Sequence, residues 1–201
     1  MGANLTRGHR LAGETSLPKP VPSLPIPEDL AREDVALRRL RARDAGPFAA
    51  AFREDPALGV LIGADEDPTE NSVLRFIARQ PGLRARGEFL GLAVTDASRR
   101  PFLGHVMLHT VAWRHKRAEV GYWLVPAARG RGIGQAAVSL LVDWAFETLE
   151  LDRIEITTTP DNAPARALAQ SLGFMQEGVM VSRNLERGRR VDVVLLARLR
   201  K

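Results

Sequence analysis

The segment EVGYWLVPAARGRGIGQ, residues 119–135, predicts a strand, a glycine-rich loop and a helix start in direct succession. Residues 119–125 are mostly β-branched, aromatic or aliphatic, as in a buried strand. Pro126 ends the strand because proline offers no N–H to the sheet. Three glycines at alternating positions then allow a tight turn whose backbone N–H groups point into one concavity. Apolar residues at helical spacing begin at Ala137, so the loop leads directly into a helix.

The loop at residues 129–134 is predicted to bind an anion. The first turn of a helix has N–H groups without partners and carries the positive end of the helix dipole. Arg129 and Arg131 add charge that suits a phosphate. The loop lacks the Gly-Lys-Ser/Thr of a Walker loop and the GxGxxG spacing of dinucleotide-binding proteins. The alternative is a glycine-rich turn that binds nothing, but it leaves the strand, proline, arginine and helix in register without an explanation.

Two motifs resemble the GNAT superfamily of N-acyltransferases. The pattern Arg-x-x-Gly-x-Gly at residues 129–134, after a strand that ends in Val-Pro, is similar to the acyl-CoA pyrophosphate loop of that superfamily. Asn162 followed by Leu172-Gly173-Phe174 is similar to its second signature. Residues 121–126 and 173–178 resemble the RimJ/RimL branch, which acetylates N-terminal amines of ribosomal proteins.

The resemblance implies an α/β GNAT fold, with a splayed mixed β-sheet and helices on both faces. Residues 31–201 are predicted to form the GNAT N-acetyltransferase domain, and residues 1–30 a proline-rich N-terminal tail. Five prolines between Pro18 and Pro27 favour extended backbone in the tail. The tail is either a plain linker or a segment that wraps the domain or reaches a partner.

Local patterns predict the elements before the loop. Alternating apolar and basic residues at positions 35–40 predict an edge strand. A short helix over residues 44–52 has Asp44 as its candidate N-cap. A longer helix is predicted to start at Asp67-Pro68-Thr69-Glu70, with Asp67 as the cap and Glu70 closing a capping box.

Residues 89–95 and 102–111 predict an antiparallel hairpin, in which His105 and His109 share one face. These histidines either contact a substrate or are partly buried and hydrogen-bonded. Residues 153–158 predict a strand parallel to residues 119–125, because one helix connects the two. A helix near residues 165–171 and a final hairpin complete the domain.

Composition excludes several kinds of site. The chain has 201 residues, no cysteine and a formal net charge of +5. It therefore has no disulfide or thiolate chemistry, and its four histidines lack metal-ligand spacing, so no metal is expected. Without a long apolar run or a signal-peptide core, a cytoplasmic protein that does not enter a membrane is expected. The basic charge suits phosphate-rich ligands, but direct nucleic-acid binding is not expected because no aromatic-basic platform occurs.

The resemblance implies acetyl-CoA as cosubstrate. Residues of the loop are expected to bind its pyrophosphate: Arg129, Gly130, Arg131, Gly132, Ile133 and Gly134. Leu124 and Val125 are expected to hydrogen-bond the pantetheine amides, and a backbone N–H of one of them to polarise the thioester carbonyl. Asn162 is expected to contact the cofactor arm, to cap a helix, or both.

Glu119 is the candidate general base, because it matches the strand position where several GNAT enzymes carry a base glutamate. The alternative is a structural carboxylate bonded to an arginine or to backbone. The family's usual proton donors are replaced by Ala165 and Ala169. Water or Ser171 would then protonate the leaving thiolate, or the thiolate would leave without help.

The predicted function is acetyl transfer from acetyl-CoA to a primary amine by direct attack, with the N-terminal α-amine of a ribosomal protein as first acceptor. A small-molecule amine or antibiotic acetyltransferase is one alternative. A non-catalytic acyl-CoA-binding protein is the other. A homodimer through exposed apolar strand edges is compatible with the sequence.

Overall fold

The computed structural model describes residues 21–28, 30–61, 67–186 and 188–201, and within them the chain forms eight strands and five α-helices. The strands are β1 (Ala31–Arg32), β2 (Val35–Arg39), β3 (Leu90–Asp96), β4 (Gly104–Ala112), β5 (Arg117–Leu124), β6 (Arg153–Thr158), β7 (Met175–Glu186) and β8 (Arg189–Leu199). The helices are α1 (Ala45–Glu54), α2 (Ala57–Leu61), α3 (Glu70–Ala85), α4 (Ile133–Thr148) and α5 (Ala163–Ser171).

All eight strands belong to one mixed sheet, in the order β1-β2-β3-β4-β5-β6-β8-β7. Neighbouring strands are antiparallel except β5 and β6, whose parallel pairing confirms the prediction. The parallel pair is short and runs only from Arg117↔Arg153 to Glu119↔Glu155. Beyond that point the two strands separate, which is the splay that the resemblance implied.

Helices cover both faces of the sheet, as predicted. On one face α4 packs against the central strands, with Leu141 and Val142 fully buried beside Leu92. On the other face α1 and α3 enclose an aromatic cluster in which Phe48 lies edge-on to Trp123 at a centroid distance of 4.7 Å. Because side chains alternate along β5, Trp123 belongs to the core with the aromatic cluster, whereas Leu124 belongs to the core that α4 covers. Among the described residues, no helix is long and apolar enough to cross a bilayer.

The described part of the tail wraps the domain. Residues 21–28 run without regular secondary structure, and Leu24 is 1% exposed within the core beneath α4. The Leu24 N–H donates to the Arg84 carbonyl at 2.8 Å, which joins this segment to the end of α3. Residues 1–20 lie outside the described residues, and the domain boundary at residue 31 stays a prediction.

The edge-strand prediction is wrong, and Asp44 is confirmed as the N-cap residue of α1 by position only. β2 pairs with β3 on one side and with β1 on the other, and four of its five residues are buried. The Asp44 carboxylate does not cap α1; it accepts two hydrogen bonds from the buried Arg38 guanidinium, at 2.7 and 2.8 Å. Burial raises the pKa of Asp44, but Arg38 and the Arg41 N–H outweigh it and hold this pKa below its usual value. A buried arginine needs its counter-ion more than the helix needs a cap.

The start of α3 also differs from the prediction. Thr69, not Asp67, is the N-cap, and its Oγ1 accepts a hydrogen bond from the Ser72 N–H at 3.2 Å. Thr69 has the extended backbone of an N-cap, with φ −85° and ψ 160°, and Asp67 precedes it by two residues. The helix therefore begins at Glu70 and leaves Pro68 outside.

Candidate active site

The glycine loop lies between β5 and α4 and is open on its outer side. Gly130 and Gly132 have φ values of +70° and +76°, in the left-handed region that favours glycine. No heavy atom lies within 4 Å of the position where either residue would carry a Cβ. Gly132 is also the N-cap of α4, so the first-turn N–H groups of a 16-residue helix start at this opening. The backbone of Gly130 and Gly132 is therefore open toward the outer side of the loop.

Gly134 has a different role from the other two glycines. It lies inside the first turn of α4, where an added Cβ would be 3.2 Å from Leu168 Cδ1 and 3.3 Å from Tyr122 Cε2. Gly134 therefore lies in the helix and not in the turn, and its contact with a pyrophosphate stays a prediction. This glycine instead lets α4 approach β5 and α5 closely.

The two loop arginines have separate surroundings. The Arg129 guanidinium donates to the Leu124 carbonyl at 3.0 and 3.1 Å and forms an ion pair of 2.6 Å with Asp55. It therefore ties the loop to the end of β5 and to the residue after α1. Arg131 is exposed and lines a groove of about 670 Å³ together with Gly132. Of the two, Arg131 is the arginine placed to meet a ligand in that groove.

The gap between β5 and β6 leads from the loop into the sheet. β6 pairs with β8 along its whole length, up to Thr158↔Val194, while its pairing with β5 ends at Glu119. At the loop end of the gap, the Val125 N–H donates to the Leu103 carbonyl at 3.0 Å, and the Leu124 carbonyl is taken by Arg129. Two of the groups expected to hold a pantetheine arm thus already have partners, which a ligand using them would have to replace.

Glu119 lies where the gap begins. Its neighbours across the sheet are His109 on β4 and Glu155 on β6. The half-buried Glu119 carboxylate accepts a hydrogen bond from the Thr157 hydroxyl, which reaches across the separating strands. Glu155 is engaged elsewhere, in ion pairs with Arg117 at 2.8 Å and Arg153 at 2.7 Å. Glu119 is therefore the carboxylate of this pair that has no arginine partner among the described contacts.

Thr157 is a site residue that the sequence prediction missed. It lies two residues after Glu155 on β6, so the two side chains share a face with Glu119. The available signal was the predicted parallel pairing of residues 119–125 with residues 153–158. The predicted pairing did not say which residue of one strand lies opposite which residue of the other, so Thr157 could not be placed beside Glu119.

The shared face of His105 and His109 on β4 is confirmed, but the two histidines differ. His105 is buried among aromatic rings, and burial lowers its pKa to about 3. Its Nε2 has no hydrogen-bond partner, so the expectation of a hydrogen-bonded ring fails at this atom. His109 lies nearer to Glu119, with its Nδ1 2.9 Å from the Thr110 Oγ1.

Asn162 caps α5, since its Oδ1 accepts a hydrogen bond from the Ala165 N–H at 3.2 Å. This confirms the capping part of the prediction, and the cofactor contact stays a prediction. Ala169 is fully buried in the core and supplies no proton. The Ser171 hydroxyl donates to the Leu168 carbonyl at 2.8 Å, so its proton is already committed. In the described ranges no cluster of three metal-ligating side chains occurs.

Comparison with known proteins identifies relatives of this arrangement. The family profile described as Acetyltransferase (GNAT) domain matches residues 34–175, more than half of the chain. YdaF of Bacillus subtilis (strain 168), named as a ribosomal N-acetyltransferase, is 29% identical over 147 residues, which is 73% of this chain and 80% of YdaF. The L-amino acid N-acetyltransferase AaaT of Escherichia coli (strain K12) is 27% identical over 138 residues, which is 66% of this chain and 78% of AaaT.

A solved structure of RimJ from Mycobacterium smegmatis in complex with CoA-disulfide has a TM-score of 0.76 to this chain. The two sequences are 26% identical, and the superposition covers 82% of this chain and 81% of the RimJ chain. The similarity therefore extends over most of the chain, rather than over one motif.

Proposed function

This chain belongs to the GNAT family and is an acetyltransferase, and we propose that it moves an acetyl group from acetyl-CoA to the N-terminal α-amine of a protein. The observation that carries the proposal is the arrangement along β5. Glu119 lies at the closed end of the gap, and the open glycine loop follows the other end of the strand. Glu119 and Leu124 are five residue steps apart along the strand, about 17 Å, which suits an extended arm lying between the loop and the base.

The donor end of the proposed site is built from backbone. Gly130 and Gly132 leave the loop open, and the first turn of α4 directs N–H groups and the helix dipole at a pyrophosphate. Arg131 adds a cation from the groove side. Acetyl-CoA, when bound, supplies a thioester carbonyl that an amine can attack.

The acceptor end is built from side chains. An α-ammonium group titrates near 8, so at neutral pH it must lose a proton before its nitrogen can attack. Glu119 accepts that proton in the proposed mechanism, and the Thr157 hydroxyl holds its carboxylate at the start of the gap. With Ala165, Ala169 and Ser171 unable to donate, the thiolate leaves without an acid; the usual thiol pKa near 8.5 makes this tolerable.

A protein N-terminus is the first acceptor because RimJ and YdaF are the relatives whose names point to the RimJ/RimL branch. The relative named an L-amino acid N-acetyltransferase favours a small amine as the second candidate. Cytoplasmic location stays a prediction. So does a homodimer, for which the exposed Met175, Val181 and Leu185 on edge strand β7 offer an apolar surface.

The test is thiol release from acetyl-CoA in the presence of different acceptors. Short peptides with a free N-terminal Ala, Ser or Met would be compared with small amines, including polyamines and free amino acids. Release with peptides alone supports the proposal, and release with small amines alone replaces it with metabolite or drug acetylation. If acetyl-CoA raises the melting temperature but no amine is acetylated, the chain is a non-catalytic acyl-CoA-binding protein.

A further inference from the structure

We propose that His109 shares with Glu119 the proton that the acceptor amine loses, so that the base of this site is a pair of side chains. The proposal rests on the proposed function of the site and deepens it. His109 and Glu119 are directly opposite each other on β4 and β5. In an antiparallel pair such neighbours have Cβ atoms about 5 Å apart, within reach of a shared proton.

The Nε2 of His109 points into the site. A Cβ added at Gly121 would lie 3.3 Å from this nitrogen and 3.4 Å from Met107 Cγ. Gly121 is two residues after Glu119, on the same face of β5. The missing side chain at Gly121 therefore lets the His109 imidazole and Met107 pack closely against β5, on the face that carries Glu119.

The backbone fixes the His109 ring in this direction. A register shift follows His109 in the pairing of β4 with β5, and Thr110 has a φ of +51°, which is unusual for a β-branched residue. This bend places the Thr110 hydroxyl at Nδ1. In the tautomer whose Nδ1–H donates to the Thr110 hydroxyl, Nε2 carries the lone pair and can take a proton.

The electrostatic surroundings suit a proton acceptor. Burial lowers the pKa of His109, and the Glu119 carboxylate opposes this by raising it; the net result lies below the usual 6.5. His105, on the same face of β4, is kept neutral by its burial. Glu155 lies beyond Glu119 and is neutralised by Arg117 and Arg153. His109 is therefore neutral at pH 7 and has a free lone pair.

The proton transfer balances without any other reactant. One N–H bond of the ammonium breaks, and its proton passes to Glu119 or to His109 Nε2. The electron pair left on nitrogen forms the bond to the thioester carbon while the carbonyl π pair moves to oxygen. When that pair re-forms the carbonyl, the C–S bond breaks, the sulfur leaves as a thiolate with its electron pair, and the nitrogen loses its second proton to that thiolate or to water. His109 is half-buried, so it also offers a route for the proton to water.

The first experiment follows the His109 imidazole by NMR from pH 4 to 9 in the wild type and in Glu119→Gln. This titration does not depend on turnover. If the two groups are coupled as proposed, removal of the Glu119 charge lowers the pKa of His109 further. An unchanged titration curve would overturn the proposal, even if the enzyme acetylates amines normally.

The second experiment compares pH profiles of kcat/KM. We expect His109→Gln to lower kcat about 10-fold to 100-fold and to remove an acid limb whose midpoint lies below pH 6.5. His115→Gln, a change at an exposed histidine in the turn before β5, should leave the profile intact. Combining His109→Gln with Glu119→Gln should cost much less than the product of the single losses. Independent losses, or an intact acid limb in His109→Gln, would exclude a shared proton.

Discussion

The donor end and the acceptor end of this site are built in opposite ways. The loop at residues 129–134 is local in sequence and uses backbone, with Gly130 and Gly132 in conformations that few other residues adopt. The acceptor end joins His109, Glu119 and Thr157 from three strands and uses their side chains. A backbone site tolerates most side-chain changes around it, whereas a side-chain site depends on each member. The following predictions test that contrast, from the largest expected effect to the smallest.

Glu119→Gln should lower kcat about 10²–10⁴-fold, the usual loss for a general base, while CoA affinity stays within twofold. Steady-state kinetics and CoA titration measure the two quantities. Glu155→Gln is the matched control, since Glu155 is the adjacent carboxylate on β6 and is held by arginines. An equal loss in both variants would mean that activity depends on both carboxylates, Glu119 and Glu155, and not on Glu119 as the base.

Gly132→Val should weaken CoA binding at least tenfold, because a side chain would enter the open cradle and the left-handed backbone would be strained. The strain alone costs about 1–2 kcal/mol of stability. Gly188→Val is the control: Gly188 has a φ of +77°, has the same open surroundings and lies in the turn before β8. Similar melting-temperature losses with CoA binding lost only in Gly132→Val would support the cradle. Unimpaired CoA binding in Gly132→Val would contradict the proposal that this loop cradles the pyrophosphate.

Arg131→Met should weaken CoA binding about 3-fold to 10-fold, with a larger effect at low salt because the arginine is exposed. Arg129→Met should change binding less, since its guanidinium faces Leu124 and Asp55. Isothermal titration calorimetry at two salt concentrations separates the variants. The reverse ranking would show that Arg129 leaves its partners when the ligand binds.

Asn162→Ala should cost about 1 kcal/mol of unfolding free energy through loss of the α5 cap. Asn162→Asp keeps a capping oxygen but removes the amide donor. Chemical denaturation and the KM for acetyl-CoA are measured for both variants. If Asn162→Asp is as stable as wild type but has a raised KM, the amide contacts the cofactor arm; an unchanged KM restricts Asn162 to capping.

The same contrast explains which parts of the molecule could be predicted from sequence. Strand, proline, glycines and helix follow one another within residues 119–148, so the loop and the start of α4 could be predicted from local rules. The parallel pairing with β6 followed from a single connecting helix. Thr157 and the pairing of His109 with Glu119 depend on register between strands far apart in sequence, which no local pattern specifies.

Local rules failed where a tertiary contact competed with them. Asp44 satisfies the sequence preference for an N-cap, yet the buried Arg38 takes its carboxylate. Gly134 reads as part of the loop, yet its neighbours are Tyr122 and Leu168. In each case the deciding partner belongs to another element, so its influence appears only after packing.

The segment at residues 21–28 is mechanically connected to the elements on the acceptor side of the site. Leu24 is anchored in the core, and its N–H is bonded to the last turn of α3, the helix that covers the aromatic cluster beside β4. A load applied upstream of this segment, by a fused protein or a surface tether, would therefore be transmitted to α3 through the Leu24–Arg84 hydrogen bond. A tether at Lys201 would instead load β8, which pairs with the whole length of β6, the strand that carries Thr157.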